Sequence, residues 1–279
     1  MSISVQQILA LLQTAAPQEL ALSWDNVGLL CGDRAQEVTS VLCALDVTET
    51  VVQEAAERGA QLDITPAVVR EAVENDCQLI VSHHPVIFQP IKSLAADDVP
   101  ALLMKNGISA ICMHTNLDAA PGGVNDTLCE ILGIAAEGRE SFAEGCGRVG
   151  AIEEIAVPEL ARKAQQELAA RCNQPKNGPA VQVKFVDAGK PVKRLAVISG
   201  AGGSLFADAI AMGADCLLTG EANHHHAIDA KRLGLSLIAA GHYATEFPVT
   251  AAVAAKLRAA LPELEVLVST ENRDPYTYL

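Results

Sequence analysis

Seven histidines occur among the 279 residues, and none lies in the first 82. They fall in four places: LIVSHHP (79–85), HTNLD (114–118), EANHHHA (221–227) and GHYATE (241–246). In all but the third, an apolar strand-like run leads straight into the polar group. Ligands of α/β sheets bind at the carboxyl ends of strands, so His83, His84, Asp118 and His242 are expected to share one edge of one sheet. Glu246 follows His242 by four residues, which lets both face one centre if the segment is helical. Three imidazoles and two carboxylates suit a borderline divalent metal: Zn, Fe, Mn or Ni. Adjacent histidines at a strand end point apart, so they serve two ions better than one, with a carboxylate between. Five ligands are enough for a two-metal site that keeps positions open for water or substrate. The plainer alternative is scattered surface histidines; their repetition at strand ends weighs against it.

Other residues carry weaker claims. Asp25 and Asn26 in SWDN either line the pocket or cap a turn beside a buried Trp24. His114, four before Asp118, is either an outer hydrogen-bond donor and proton shuttle or a structural residue. VISGAGG (197–203) is a glycine-rich strand-to-helix turn, either a phosphate cradle or, more simply, a tight turn. His226, beside His224 and His225, reads as part of a solvated helix face. The eight cysteines show no CxxC pair and read as small buried hydrophobes in a reducing cytosol.

The elements that must position these residues alternate. Ser4 and Gln7 make a capping box, and Val5, Ile8, Leu9 and Leu12 one helical stripe. Strands are expected at 40–45, 79–81, 108–113, 181–186, 194–198, 215–218, 235–239 and 264–268. Helices are expected near 48–58, 66–75, 123–132, 158–172, 203–212, 222–233 and 248–260. This is an α/β protein of layered sheets and helices. SVLCALDVTETVVQEAAERGA followed by CQLIVSHH has the same plan as RLAVISGAGGSLFADAIAMGADCLLTGEANHH, which points to two similar α/β lobes. A common metal centre needs its early and late ligands together. Residues 1–135 plus 232–279 are therefore expected to form the metal-binding lobe, with 136–231 an inserted second lobe. The seam is placed in the Pro/Gly/Asn loop at 172–180 or near 136–147.

Composition narrows the function. A net charge of −14 argues against a general nucleic-acid or anionic-membrane binder, and no apolar run approaches the ~18 residues of a membrane span. MSISVQQILALLQ lacks the basic start and cleavage site of a secretory signal, so a cytoplasmic location is expected. Half of the residues are hydrophobic, more than one compact subunit need bury, so self-association is expected. With 3% aromatic residues, no platform for stacking a purine stands out.

SWDNVGLLCGD (23–33), LIVSHHP, HTNLDAAPGGVND (114–126), GADCLLTGEANHH (213–225) and GHYATE occur in this order in the Nif-three-like family. The chain resembles that family over nearly its whole length. Its members are often named GTP cyclohydrolase I type 2 homologues. The resemblance implies a dinuclear metal site in a fold of two similar α/β lobes, with subunits in a toroidal hexamer. Carried across by motif, the ligands are His83, His84, Asp118, His242 and Glu246. The family name implies a hydrolase that opens the GTP imidazole ring, releasing formate and giving dihydroneopterin triphosphate. The alternative is a metal-binding scaffold or regulator that acts through partners. The sequence departs from the family pattern at 61–76, QLDITPAVVREAVEND, which looks like an added helical turn.

Overall fold

The computed structural model describes residues 3–47, 67–173 and 181–278. They divide into two compact units: Met1–Leu117 with Thr250–Pro275, and Asp118–Val249 with Tyr276–Leu279.

The first unit opens with β1 (Ile3–Ser4) and α1 (Val5–Ala15). The Ser4–Gln7 capping box is present, and Val5, Ile8, Leu9 and Leu12 are the buried stripe of α1. There follow β2 (Gly28–Cys31), β3 (Glu37–Val38), β4 (Ser40–Ala44), α2 (Ala67–Glu74), β5 (Leu79–Ser82), α3 (Val99–Lys105) and β6 (Ser109–Cys112). β4, β5 and β6 are parallel neighbours, in register from Val41, Leu79 and Ser109 to Ala44, Ser82 and Cys112. β2 lies antiparallel on β6. All three parallel strands are buried along their length, which is why they read as continuous apolar runs. Leu42, Ala44, Ile80 and Ala110 belong to one core cluster with Val68, Val69 and Ala72 of α2 and Leu102 and Leu103 of α3.

The boundary falls within α4 (Thr115–Ala119). The second unit continues through α5 (Val124–Leu132), β7 (Glu140–Phe142), β8 (Gly147–Ile155), α6 (Val157–Ala169), β9 (Lys184–Val186) and β10 (Val192–Ile198). A 3-10 turn, Gly202–Leu205, leads into α7 (Phe206–Ala211), β11 (Cys216–Thr219), α8 (His224–Arg232), β12 (Ser236–Ala239) and α9 (His242–Glu246). Its sheet order is β7-β8-β10-β11-β12-β9. β10, β11 and β12 are parallel, from Leu195, Cys216 and Ser236 to Ile198, Thr219 and Ala239. β9 lies antiparallel on β12. α10 (Val249–Ala260) returns the chain to the first unit, where β13 (Glu265–Val268) pairs parallel with β4.

The fold is α/β, and the two units share a plan. Each has three parallel strands in chain order, with an antiparallel strand beyond the third. The borders differ from the expected 1–135 plus 232–279 and 136–231. Residues 118–135 and 232–249 sit in the second unit. The reason is pairing: β12 bonds to β11 and β9, and α5 packs on β8 and β10. The expected helix at 48–58, the start of the added turn at 61–66 and most of the seam at 172–180 lie outside the described residues. Within the rest of the added turn, 67–74 is the amphipathic helix α2.

Candidate metal centre

In the first unit the polar groups gather at the carboxyl ends of the three parallel strands. β4 runs out into Asp46, β5 into His83 and His84, and β6 into Met113 and His114. Parallel register puts these ends side by side. His83, His84 and His114 offer ring nitrogens within 4.8 Å of one another. Their ring centroids are 5.0, 5.2 and 5.6 Å apart.

Each ring is held by its Nδ1. His83 Nδ1 lies 2.9 Å from the Met113 carbonyl. His84 Nδ1 lies 2.6 Å from Asp46 Oδ1, and His114 Nδ1 2.8 Å from Asp25 Oδ1. A carbonyl or carboxylate oxygen only accepts, so Nδ1 is the donor in each pair, and in the neutral tautomer Nε2 carries the lone pair. Such an arrangement orients metal-binding histidines and raises their basicity. The supporting carboxylates are themselves fixed. Asn272 accepts from the Leu45 and Asp46 amides through Oδ1, at 2.6 and 3.0 Å. Asp25 Oδ2 accepts from the Thr115 amide and hydroxyl. Burial alone would raise the Asp25 carboxyl, but hydrogen bonds from His114 and Thr115 outweigh it and hold it far below the usual carboxylate range.

The second unit repeats the placement. β10 runs out into Ser199 and Gly200, β11 into Gly220 and Glu221, and β12 into Gly241 and His242. His242 Nδ1 lies 2.9 Å from Glu221 Oε1, so this ring turns its Nε2 away from Glu221. One helical turn on, Glu246 is buried at 4% exposure, with Oε2 3.1 Å from His242 Nε2. With Nδ1 as the donor, these two atoms face each other as acceptors, and a proton or a cation must lie between them. Two ligands each ~2.1 Å from one ion and roughly 90–110° apart stand ~3.0–3.4 Å from each other, so the pair fits a divalent ion. Gly200 lets the carboxylate in: its φ is +58°, and a Cβ there would run into Glu246 Oε1. Asp118 Oδ1 is met by the hydroxyl of the neighbouring Ser199 at 3.4 Å.

Several expectations change. His83, His84 and His242 do not leave one sheet: the first two follow β5 of the five-stranded sheet, and His242 follows β12 of the six-stranded one. His114 stands in the histidine triangle itself, with Asp25 as its outer partner. Trp24 is not buried but 56% exposed, and Asn26 ties down a loop through the Ile87 carbonyl at 2.6 Å. The VISGAGG turn is no phosphate cradle. The amides of Gly200, Gly202 and Gly203 donate to Thr245, Thr219 and the Glu221 carbonyl. His226 is half-buried, 3.1 Å from the Asn223 side-chain amide and packed on Phe206, while His224 and His225 are exposed. Asp46 and Glu221 were missed as imidazole partners. The signal available was their position at the ends of strand-like runs. All eight cysteines are free, and burial pushes the Cys43 and Cys129 thiols up to about 12.

Comparisons with known proteins agree with this architecture. A protein of Clostridium perfringens named GTP cyclohydrolase 1 type 2 homolog is 32% identical over 287 residues, covering 99% of each chain. The crystal structure of Staphylococcus aureus hypothetical protein SA1388 superposes with a TM-score of 0.82 at 28% identity, over the full length of both chains. A Bacillus cereus protein described as related to NIF3 shares the fold, with a TM-score of 0.81 at 22% identity over 100% of this chain and 99% of its own. The pattern of one family matches residues 3–64 and 61–275, meeting where the added turn was read. The histidine-bearing strand ends all lie inside that match, and the chain belongs to the Duf34/NIF3 (NGG1p interacting factor 3) family.

Proposed function

We propose that the protein is a metal-dependent hydrolase whose centre holds two divalent ions through His83, His84, Asp118, His242 and Glu246, with His114 beside them. The observation that carries this reading is that all four rings, His83, His84, His114 and His242, set Nδ1 against an oxygen atom, the arrangement that orients metal-binding imidazoles. Charge supports joining the two sets. Imidazole ligands bring no negative charge, so the carboxylates of Asp118 and Glu246 supply the compensation that two divalent ions need. Zn, Fe, Mn and Ni all suit these donors.

When bound, the ions supply Lewis acidity and bring the ionisation of a water toward neutral pH. The chain's own groups do the rest. Asp46, Asp25, Glu221 and the Met113 carbonyl fix the ring orientations. Glu246 would offer its carboxylate to the ions, and His114, backed by Asp25, moves a proton at its Nε2. Relatives are named as GTP cyclohydrolase 1 type 2 homologs. That supports opening of the GTP imidazole ring, with formate and dihydroneopterin triphosphate as products. A toroidal homohexamer in the cytoplasm completes the reading.

Glu246→Gln keeps size and removes charge. It is expected to lower metal content from about two ions per chain toward one or none, and to abolish formate release from GTP, with circular dichroism unchanged. His226→Ala is expected to keep the wild-type metal content. Two tightly held ions in the Glu246→Gln protein would remove Glu246 from the ligand set. A fully metallated wild-type protein that releases no formate would leave a metal-binding scaffold.

A further inference from the structure

The chain's one tryptophan is spent on the surface, beside the histidine triangle. Trp24 is 56% exposed, with its ring centroid 6.0 Å from that of His114. Phe88, 48% exposed, meets it at 5.9 Å with the ring planes 64° apart. Large aromatic rings left in water cost free energy, and their neighbours here hold them in place. The Leu22 amide donates to Thr115 Oγ1, Asp25 binds His114 and Thr115, and Asn26 bonds the Ile87 carbonyl. The residues flanking Trp24 are thus pinned to the His114 loop on one side and to the Phe88 loop on the other. The result is a rigid notch of two rings, open to solvent, about one ring's width from the imidazoles.

We infer that Trp24 and Phe88 are the specificity platform of the site: a planar, purine-sized heteroaromatic ring of the substrate stacks on Trp24, edged by Phe88, with its rim toward His114. This rests on the hydrolase reading for its catalytic consequence, but the platform is tested apart from it. A flat ring is favoured over an aliphatic group because more than half of the Trp24 surface is open to solvent and an aromatic plane stacks on it. Stacking on an exposed ring binds any base-like plane through its π-face. The composition pointed to no such platform. A single exposed pair, correctly placed, supplies one.

Because Trp24 is the sole tryptophan, its emission reports this notch alone. In zinc-loaded full-length protein, guanosine is expected to quench that emission saturably, while ribose 5-phosphate and inorganic triphosphate leave it unchanged. By calorimetry, Trp24→Ala is expected to weaken guanosine binding by about tenfold to a hundredfold, and Trp24→Phe to restore most of it. Phe88→Leu is expected to weaken quenching by roughly tenfold. Metal content is expected to stay at the wild-type level in all three variants, and KM to rise more than kcat falls. Saturating zinc with no guanosine quenching at millimolar concentration overturns the platform, even if hydrolysis persists. Quenching without any hydrolysis keeps the platform and sinks the hydrolase reading. An emission that shifts with protein concentration and not with guanosine overturns the platform in favour of a second copy of the chain on this face.

Discussion

At the scale of the residue, the proposed metal centre depends on groups that would never touch an ion. Asp46 holds His84 at 2.6 Å, and Glu221 holds His242 at 2.9 Å. Removing such a partner typically costs ten- to a hundredfold in metal affinity. Asp46→Asn is therefore expected to weaken zinc binding by roughly that factor in competition with a chelator, with folding intact. An unchanged affinity would show that Asp46 only fastens the loop to Asn272. Gly200 is the sharper case. Its positive φ strains any other residue, and a Cβ would strike the Glu246 carboxylate. Gly200→Ala is expected to lower metal content measurably and to cost ~1–2 kcal/mol in stability. Full metal content in that variant would separate the carboxylate from the ions.

At the scale of the element, the second unit is clamped by a buried ion cluster. Asp126 on α5 receives Arg148 of β8 at 2.7 Å and Arg139 at 3.0 Å. Arg148 also donates to the Ala119 carbonyl at 2.8 Å, which ties the end of α4 to the same strand. Burial would raise the Asp126 carboxyl, but the Gly122 amide and the two guanidiniums hold it below its ordinary value. The folded pKa is depressed, so the stabilisation is complete above the unfolded range near about pH 4 and is lost as pH falls through the folded value. Asp126→Asn is expected to cost about 3 kcal/mol at neutral pH, because it leaves buried guanidiniums uncompensated. Urea unfolding at a series of pH values checks this. The gap between wild type and variant should narrow as the medium is acidified below about pH 4. A constant gap would mean that the cluster contributes packing, not charge.

At the scale of the whole molecule, the expectation is self-association. β7 and β9 are the edges of the six-stranded sheet, and β9 carries an exposed Phe185. Unpaired edges and exposed aromatics invite another chain. Light scattering at micromolar concentration is expected to give a mass near six times the 29.2 kDa chain. A species of 29.2 kDa would remove the hexamer. Among the described residues no helix is long and apolar enough to cross a membrane.

The sequence by itself determined the α/β class and most of the strands and helices, and it singled out the histidines that gather at the strand ends. These are local properties: a buried parallel strand such as LIVS and an amphipathic helix such as Val5–Ala15 announce themselves within a few residues. β8 escaped because GRVGAIEEI carries three charges in nine residues and is exposed at one end, as an antiparallel strand with one wet face can be. The tertiary structure alone decided which strands became neighbours, and so which sheet His242 would leave. It also decided that Asp46 and Glu221, 38 and 21 residues from their histidines, would hold them. Trp24 likewise went to the surface, although an indole in an apolar context reads as core. Strand order is set by long-range pairing and by the burial that pairing permits, and hydrophobic periodicity carries no record of either.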